Sequence, residues 1–176
     1  DFKHIKEYTI EAGRPDSTDE AKLGVMKNSG CTRISINPQT FNDNVLNAIG
    51  RKHTSEETEN CFNLAREKGF SNINMDLIAG LPEDTVESFE YSLSKAISMN
   101  PENITVHTLA LKRSSNLVTD KKESSTGDVA SKMLSMVQSK LTEAGYIPYY
   151  MYRQSKCLGN LENVGWAKEG YEGLYN

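Results

Sequence analysis

Cysteine is scarce. The three present, at positions 31, 61 and 157 of 176 residues, are odd in number and far apart, which suits reduced thiols and a cytosolic compartment better than a disulfide framework. Long apolar runs are missing as well: no stretch approaches the roughly 20 residues needed to cross a bilayer, and the opening residues Asp1, Lys3, His4 and Lys6 do not resemble a signal peptide. Nor is there an excess of positive charge. Lys and Arg number 20 against 24 Asp and Glu, a net charge of -4, so no field gathers a polyanion and nucleic acid is not an expected partner. The sequence has no Gly-x-Ser-x-Gly elbow, phosphate loop or Rossmann glycine fingerprint, so hydrolase, nucleotidase and dinucleotide readings lack a motif. His4, His53 and His107 have neither triad nor metal-ligand spacing, and His53, directly before a helix cap, reads as structural. Asn103-Ile104-Thr105 matches a glycosylation acceptor but falls in a strand-like run and is discounted.

What is present is an alternation of short β-rich runs with helical segments, the order that builds a parallel sheet through right-handed crossovers. Runs at Tyr8 to Glu11, Arg33 to Asn37, Asn72 to Ile78 and Asn103 to Leu109 predict four parallel strands. Ser17 with Glu20 and Thr54 with Glu57 have capping-box spacing. Over 55–68 the inward set is Thr58, Cys61, Phe62 and Ala65; over 85–98 it is Val86, Phe89, Leu93, Ala96 and Ile97. Ser114 to Gly127 is polar and aperiodic and reads as a surface loop before a last helix over about 126–144. Val129, Met133, Met136, Val137, Lys140 and Leu141 form its stripe, the methionines as packing. Pro148 makes the β-prone run Tyr146 to Tyr152 an edge strand. Residues 1–145 are expected to form the α/β body and 146–176 a strand with an irregular tail that stops as if cut.

Ligands of a parallel α/β sheet bind at the carboxyl ends of its strands. Glu11 ends the first strand, Gln39 follows the second, Asp76 lies late in the third, and Arg51 follows a short helix between Asn42 and Gly50. The alternative is that Glu11 and Asp76 are structural ions paired with Arg51 or Arg33.

Cys31-Thr-Arg-Ile-Ser-Ile-Asn-Pro-Gln-Thr-Phe41, Leu46-Asn-Ala-Ile-Gly-Arg-Lys-His53 and Gly69-Phe-Ser-Asn-Ile-Asn-Met-Asp-Leu-Ile-Ala-Gly-Leu-Pro82 resemble the oxygen-independent coproporphyrinogen III oxidase family of radical S-adenosylmethionine enzymes. With Ile104 to Leu109 these blocks span most of residues 8–112, and Tyr149 to Gln154 with Leu158 to Gly165 resemble its coproporphyrinogen dehydrogenase subgroup. The resemblance implies a partial TIM-like barrel of four parallel strands with outer helices and its first two strands absent. It also implies that Glu11, Gln39, Arg51 and Asp76 hold S-adenosylmethionine, with the contacts of each acidic residue open. The backbone at Gly80, in Gly80-Leu-Pro82, would approach the adenine.

The family's Cys-x-x-x-Cys-x-x-Cys loop for a 4Fe-4S cluster does not occur here, so none of the three cysteines is assigned to metal and the fragment is expected to be inactive. In the family, the cluster cleaves S-adenosylmethionine to a radical that takes hydrogen from a substrate propionate, and carbon dioxide leaves. The implied partners are thus a porphyrinogen and an electron donor, and haem transfer to other proteins is the alternative role. Glu11-Ala-Gly-Arg-Pro15 is longer than the family's usual Glu-x-x-Pro, leaving the path there, and any contact of Arg14 with substrate carboxylates, open. A first strand without its neighbours would leave an edge able to self-associate.

Overall fold

Residues pointing alternately to two faces, one apolar and one polar, organise the chain. The computed structural model describes residues 4–110, 120–153, 157, 159 and 161–174, with the backbone alone over 120–126. Its elements are β1 (Thr9–Gly13), α1 (Glu20–Asn28), β2 (Arg33–Ile36), α2 (Asp43–Ala48), α3 (Ser55–Glu67), β3 (Ile73–Ala79), α4 (Val86–Met99), β4 (Asn103–Thr108), α5 (Asp120–Glu143), β5 (Ile147–Tyr152) and β6 (Asn163–Ala167). They make one open sheet in the order β1-β2-β3-β4-β6-β5. The first four strands are parallel, as the alternation predicts, and β5 takes an edge, as Pro148 requires.

Ile34, Ile36, Ile73, Met75, Leu77, Ala79, Ile104 and Val106 share one core with Leu23, Phe62, Phe89, Leu93, Met133 and Leu141. These positions of β2, β3 and β4 face the helices, while Ile78 lies on the other face of β3. Thr58, Cys61, Phe62 and Ala65 of α3 are buried as expected, and α4 buries Phe89, Ser92, Leu93 and Ala96. Each fully buried Leu, Ile or Phe contributes about 1.5–3 kcal/mol, so this interlocked layer fixes which face each strand turns outward. Among the described residues no helix is long and apolar enough to cross a membrane.

Three expectations are corrected. Ser17 does not open α1: Pro15–Ser17 is a short 3-10 turn, the Ser17 hydroxyl donates to the Arg14 carbonyl at 2.9 Å, and Asp19 is the cap, accepting from the Lys22 amide at 2.8 Å. Pro15 at the start of that turn diverts Ser17, leaving the next side-chain acceptor to satisfy the helix amides. The Thr54–Glu57 box forms in full. Second, α5 begins at Asp120, six residues before the expected start, so the polar stretch is helical from there on; the rest of the expected loop, 114–119, lies outside the described residues. Polar residues without a stripe still form helix when a long packed segment follows.

The third correction is β6. Residues expected to be irregular form a strand between β4 and β5, antiparallel to both, with Thr105 opposite Gly165 and Gly165 opposite Tyr150. Asn163, fully buried, accepts the Thr108 amide at 2.6 Å and finishes the β4 ladder.

Candidate functional site

The sheet face opposite the helices carries a continuous hydrogen-bonded chain of polar side chains. Asn74 is its hub: its amide nitrogen donates to Ser35 Oγ at 2.8 Å and to Asp76 Oδ1 at 2.7 Å, while its carbonyl oxygen accepts from Thr105 Oγ1 at 2.9 Å. Ser35 Oγ donates to Asn37 Oδ1 at 2.6 Å, and Asn37 Nδ2 donates to Glu11 Oε2 at 3.0 Å. Carboxylates only accept, so Glu11 and Asp76 are the two ends of one outward-running set of donors. Four adjacent strands contribute to it.

Neither carboxylate is a structural ion held by arginine. Among the described residues Arg33 faces Glu7, at 3.7 Å, with Asn103 Oδ1 and the Tyr149 hydroxyl each at 3.3 Å, and no ion pair involves Arg51. Arg33 is buried at the amino-terminal end of β2, away from the strands' carboxyl ends.

Gln39 lies beyond the end of β2, yet the chain there returns to pair with β3. Its amide donates to the Asp76 carbonyl and its carbonyl accepts from the Ile78 amide, both at 2.9 Å. These bonds hold a non-glycine residue at φ 69, a left-handed conformation that survives only where its surroundings over-determine it. The loop is further tied to α4: Ser92 Oγ accepts from the Phe41 amide at 2.9 Å and Asn42 Nδ2 donates to Ser88 Oγ at 2.8 Å. Arg51 follows a Schellman end to α2, with Gly50 at φ 72, the Gly50 amide on the Asn47 carbonyl and the Arg51 amide on the Leu46 carbonyl. Two residues on, the buried His53 ring bonds the Pro38 carbonyl at 3.2 Å, tying this segment to the loop that carries Gln39.

Gly80 turns out of β3 at φ 81, and its amide donates to Met133 Sδ of α5 at 3.3 Å. That amide is therefore engaged, and only the Cα and carbonyl side remains for a ligand.

The sequence reading missed the far side of the site. His107 Nε2 lies 3.5 Å from Asp76 Oδ2, and Tyr152 OH lies 3.3 Å from His107 Nδ1. Tyr150 stacks on Tyr152, with centroids 5.4 Å apart, and burial with neighbouring hydroxyls pushes its own hydroxyl up to about 12. These rings cross Gly165: a Cβ there would meet Tyr150 Cδ1 at 2.6 Å and Tyr149 Cε1 at 3.1 Å. The available signal was the period-2 series Asn103, Thr105, His107, in step with Asn74 and Asp76.

The cysteines do not fit an iron-sulfur cluster. All three are buried, Cys31 before β2, Cys61 within α3, and Cys157 bridged to Ala110. Burial raises the Cys31 thiol and pushes the Cys61 thiol up to about 11, opposite to the thiolate a cluster needs.

Residues 2–96 match the family model of the radical SAM superfamily. Over its whole length the chain is 47% identical to the oxygen-independent coproporphyrinogen-III oxidase-like protein HemZ of Bacillus subtilis, of which it spans 36%. It is 39% identical over 105 residues to the haem chaperone HemW of the same organism, covering 60% of this chain and 27% of that protein. In fold it is similar to coproporphyrinogen III oxidase of Escherichia coli, a radical SAM enzyme, with a TM-score of 0.72 and 24% identity over 93% of this chain and 36% of that one. The chain thus spans less than half the length of the curated relatives it matches. Four parallel strands with outer helices, a polar strand-end face and this match over more than half its residues place the chain in the radical SAM superfamily.

Proposed function

We propose that the intact protein binds S-adenosylmethionine on the polar face, at the carboxyl ends of β1 to β3, and serves oxygen-independent oxidative decarboxylation of coproporphyrinogen III to protoporphyrinogen IX. The observation that carries the binding reading is the pair of carboxylates, Glu11 and Asp76, held by one donor network with neither neutralised by arginine. The residues fit the cofactor's chemistry. Glu11 and Asp76 offer acceptors for its ammonium and ribose hydroxyls, Gln39 an amide, and Arg51 a guanidinium shaped for two parallel bonds to a carboxylate. When bound alongside a reduced 4Fe-4S cluster, S-adenosylmethionine supplies radical chemistry that protein side chains cannot. The cluster ligands belong outside these residues, and this chain alone is expected to be inactive.

The oxidase reading rests on the 47% identity to HemZ over the full chain. A second reading, haem binding and transfer, rests on the shorter similarity to HemW. Coproporphyrinogen turnover by the full-length protein supports the first; a haem absorption band formed on stoichiometric addition, without turnover, supports the second.

Arg51→Ala and Asp76→Asn test the site in the full-length protein. Each removes a charge-assisted hydrogen bond worth on the order of 1.5–3 kcal/mol, about ten- to a hundredfold in affinity. Both variants are expected to keep normal iron content and lose S-adenosylmethionine affinity by calorimetric titration; unchanged affinity in both rejects the assignment.

A further inference from the structure

Asp76 is braced from two sides. Asn74 donates to Oδ1 at 2.7 Å, and His107 of the next strand lies against Oδ2 at 3.5 Å. Because an ionised carboxylate offers no hydrogen, the His107 nitrogen facing it carries a proton, and the Tyr152 hydroxyl lies 3.3 Å from the other ring nitrogen, Nδ1. With a hydrogen bond on one oxygen and the imidazole beside the other, the carboxylate has a polar neighbour on each side. The pair is not sealed away, since the side chains of His107 and Asp76 retain 27% and 17% of their exposure. A ligand can therefore reach the free lone pairs of Asp76.

Nothing in the core requires this arrangement. His107 alternates with Val106 and Thr108, which face the helices, so its imidazole adds nothing to the packed layer. Tyr152 ends an edge strand and meets the imidazole edge-on, with centroids 6.4 Å apart and planes at 70°. Two aromatic side chains from β4 and β5, brought into line across β6, converge on a carboxylate of β3.

We propose that His107, backed by Tyr152, is a positioning residue for Asp76: it aims the carboxylate at the bound cofactor and acts through Asp76 without touching the ligand. This rests on the S-adenosylmethionine reading above. A positioning residue tunes affinity through its neighbour, so its effect vanishes when that neighbour's charge is gone.

The test is a double-mutant cycle in the full-length protein, read by calorimetric titration with S-adenosylmethionine and by thermal melting. His107→Phe keeps a ring of similar outline and removes the donor; affinity is expected to fall about five- to twentyfold with little change in melting temperature. His107→Gln restores an amide donor and most of the affinity. In the Asp76→Asn background, adding His107→Phe changes affinity by less than about twofold. Wild-type affinity in His107→Phe overturns the proposal, as does a loss of equal size in both backgrounds, which would mean that His107 meets the ligand directly. If Asp76→Asn alone binds like wild type, the cofactor reading itself fails. Should His107→Phe not fold, Tyr152→Phe, which loses only a hydroxyl, carries the test: weaker binding in the Asp76 background alone supports the proposal, and unchanged binding overturns it.

Discussion

Gln39 sits where a glycine would sit more easily. Holding an L-residue at φ 69 costs about 1–2 kcal/mol, and the two main-chain bonds to β3 make no demand on the side chain. The side-chain amide adds only a long contact, to the Asn37 carbonyl at 3.5 Å. Gln39→Gly relieves the strain but adds unfolded-state entropy, so the two effects roughly cancel and the melting temperature should shift by only a few degrees. Affinity for S-adenosylmethionine should nonetheless fall about tenfold with loss of the amide. Tight binding by the glycine variant would show that the side chain is dispensable. The placement of Glu11, Gln39 and Asp76 along the strand ends was legible in the sequence, because the alternation of strands and helices fixes where those ends lie. His107 was not, since a lone histidine acquires a role only once register sets it beside a carboxylate 31 residues away.

At the scale of elements, β6 shows what local pattern leaves out. Asn163-Val-Gly-Trp-Ala has a glycine at its centre, and glycine inside a run argues against a strand. Here it is required by close approach, because the Tyr149 and Tyr150 rings occupy the space of its missing Cβ. Gly165→Ala should therefore cost about 1–3 kcal/mol, measured by denaturant unfolding, and removing the closer ring with Tyr150→Ala should lower that cost, leaving only the looser Tyr149 contact. An equal cost in both backgrounds would trace the effect to the backbone instead. By contrast, β1 to β4 and the buried faces of α3 and α4 could be read directly, since period-2 and period-3.6 apolar patterns there are set by burial against each other. The early start of α5 could not: its first turns carry no stripe, and their helicity is inherited from the packed turns beyond.

For the molecule as a whole, β1 is an edge that pairs with β2 alone among the described strands. Unpaired edges recruit other edges. The isolated chain is expected to show a mass rising with concentration in sedimentation experiments. A strict monomer with slowly exchanging amides over Tyr8 to Glu11 would instead mean that the segment after β6 shields this edge; its Leu174 amide already reaches Glu7 Oε2 at 3.0 Å.

The order β4-β6-β5 has a further consequence, for the time course of folding. On a ribosome, β5 emerges before β6 yet, among the described strands, pairs with β6 alone. It must wait unpaired, or zip to β6 first and dock on β4 as a finished hairpin. Until then Tyr152 is not in place, so His107, set beside Asp76 by the pairing of β3 with β4, acquires its backing only in the last step of assembly.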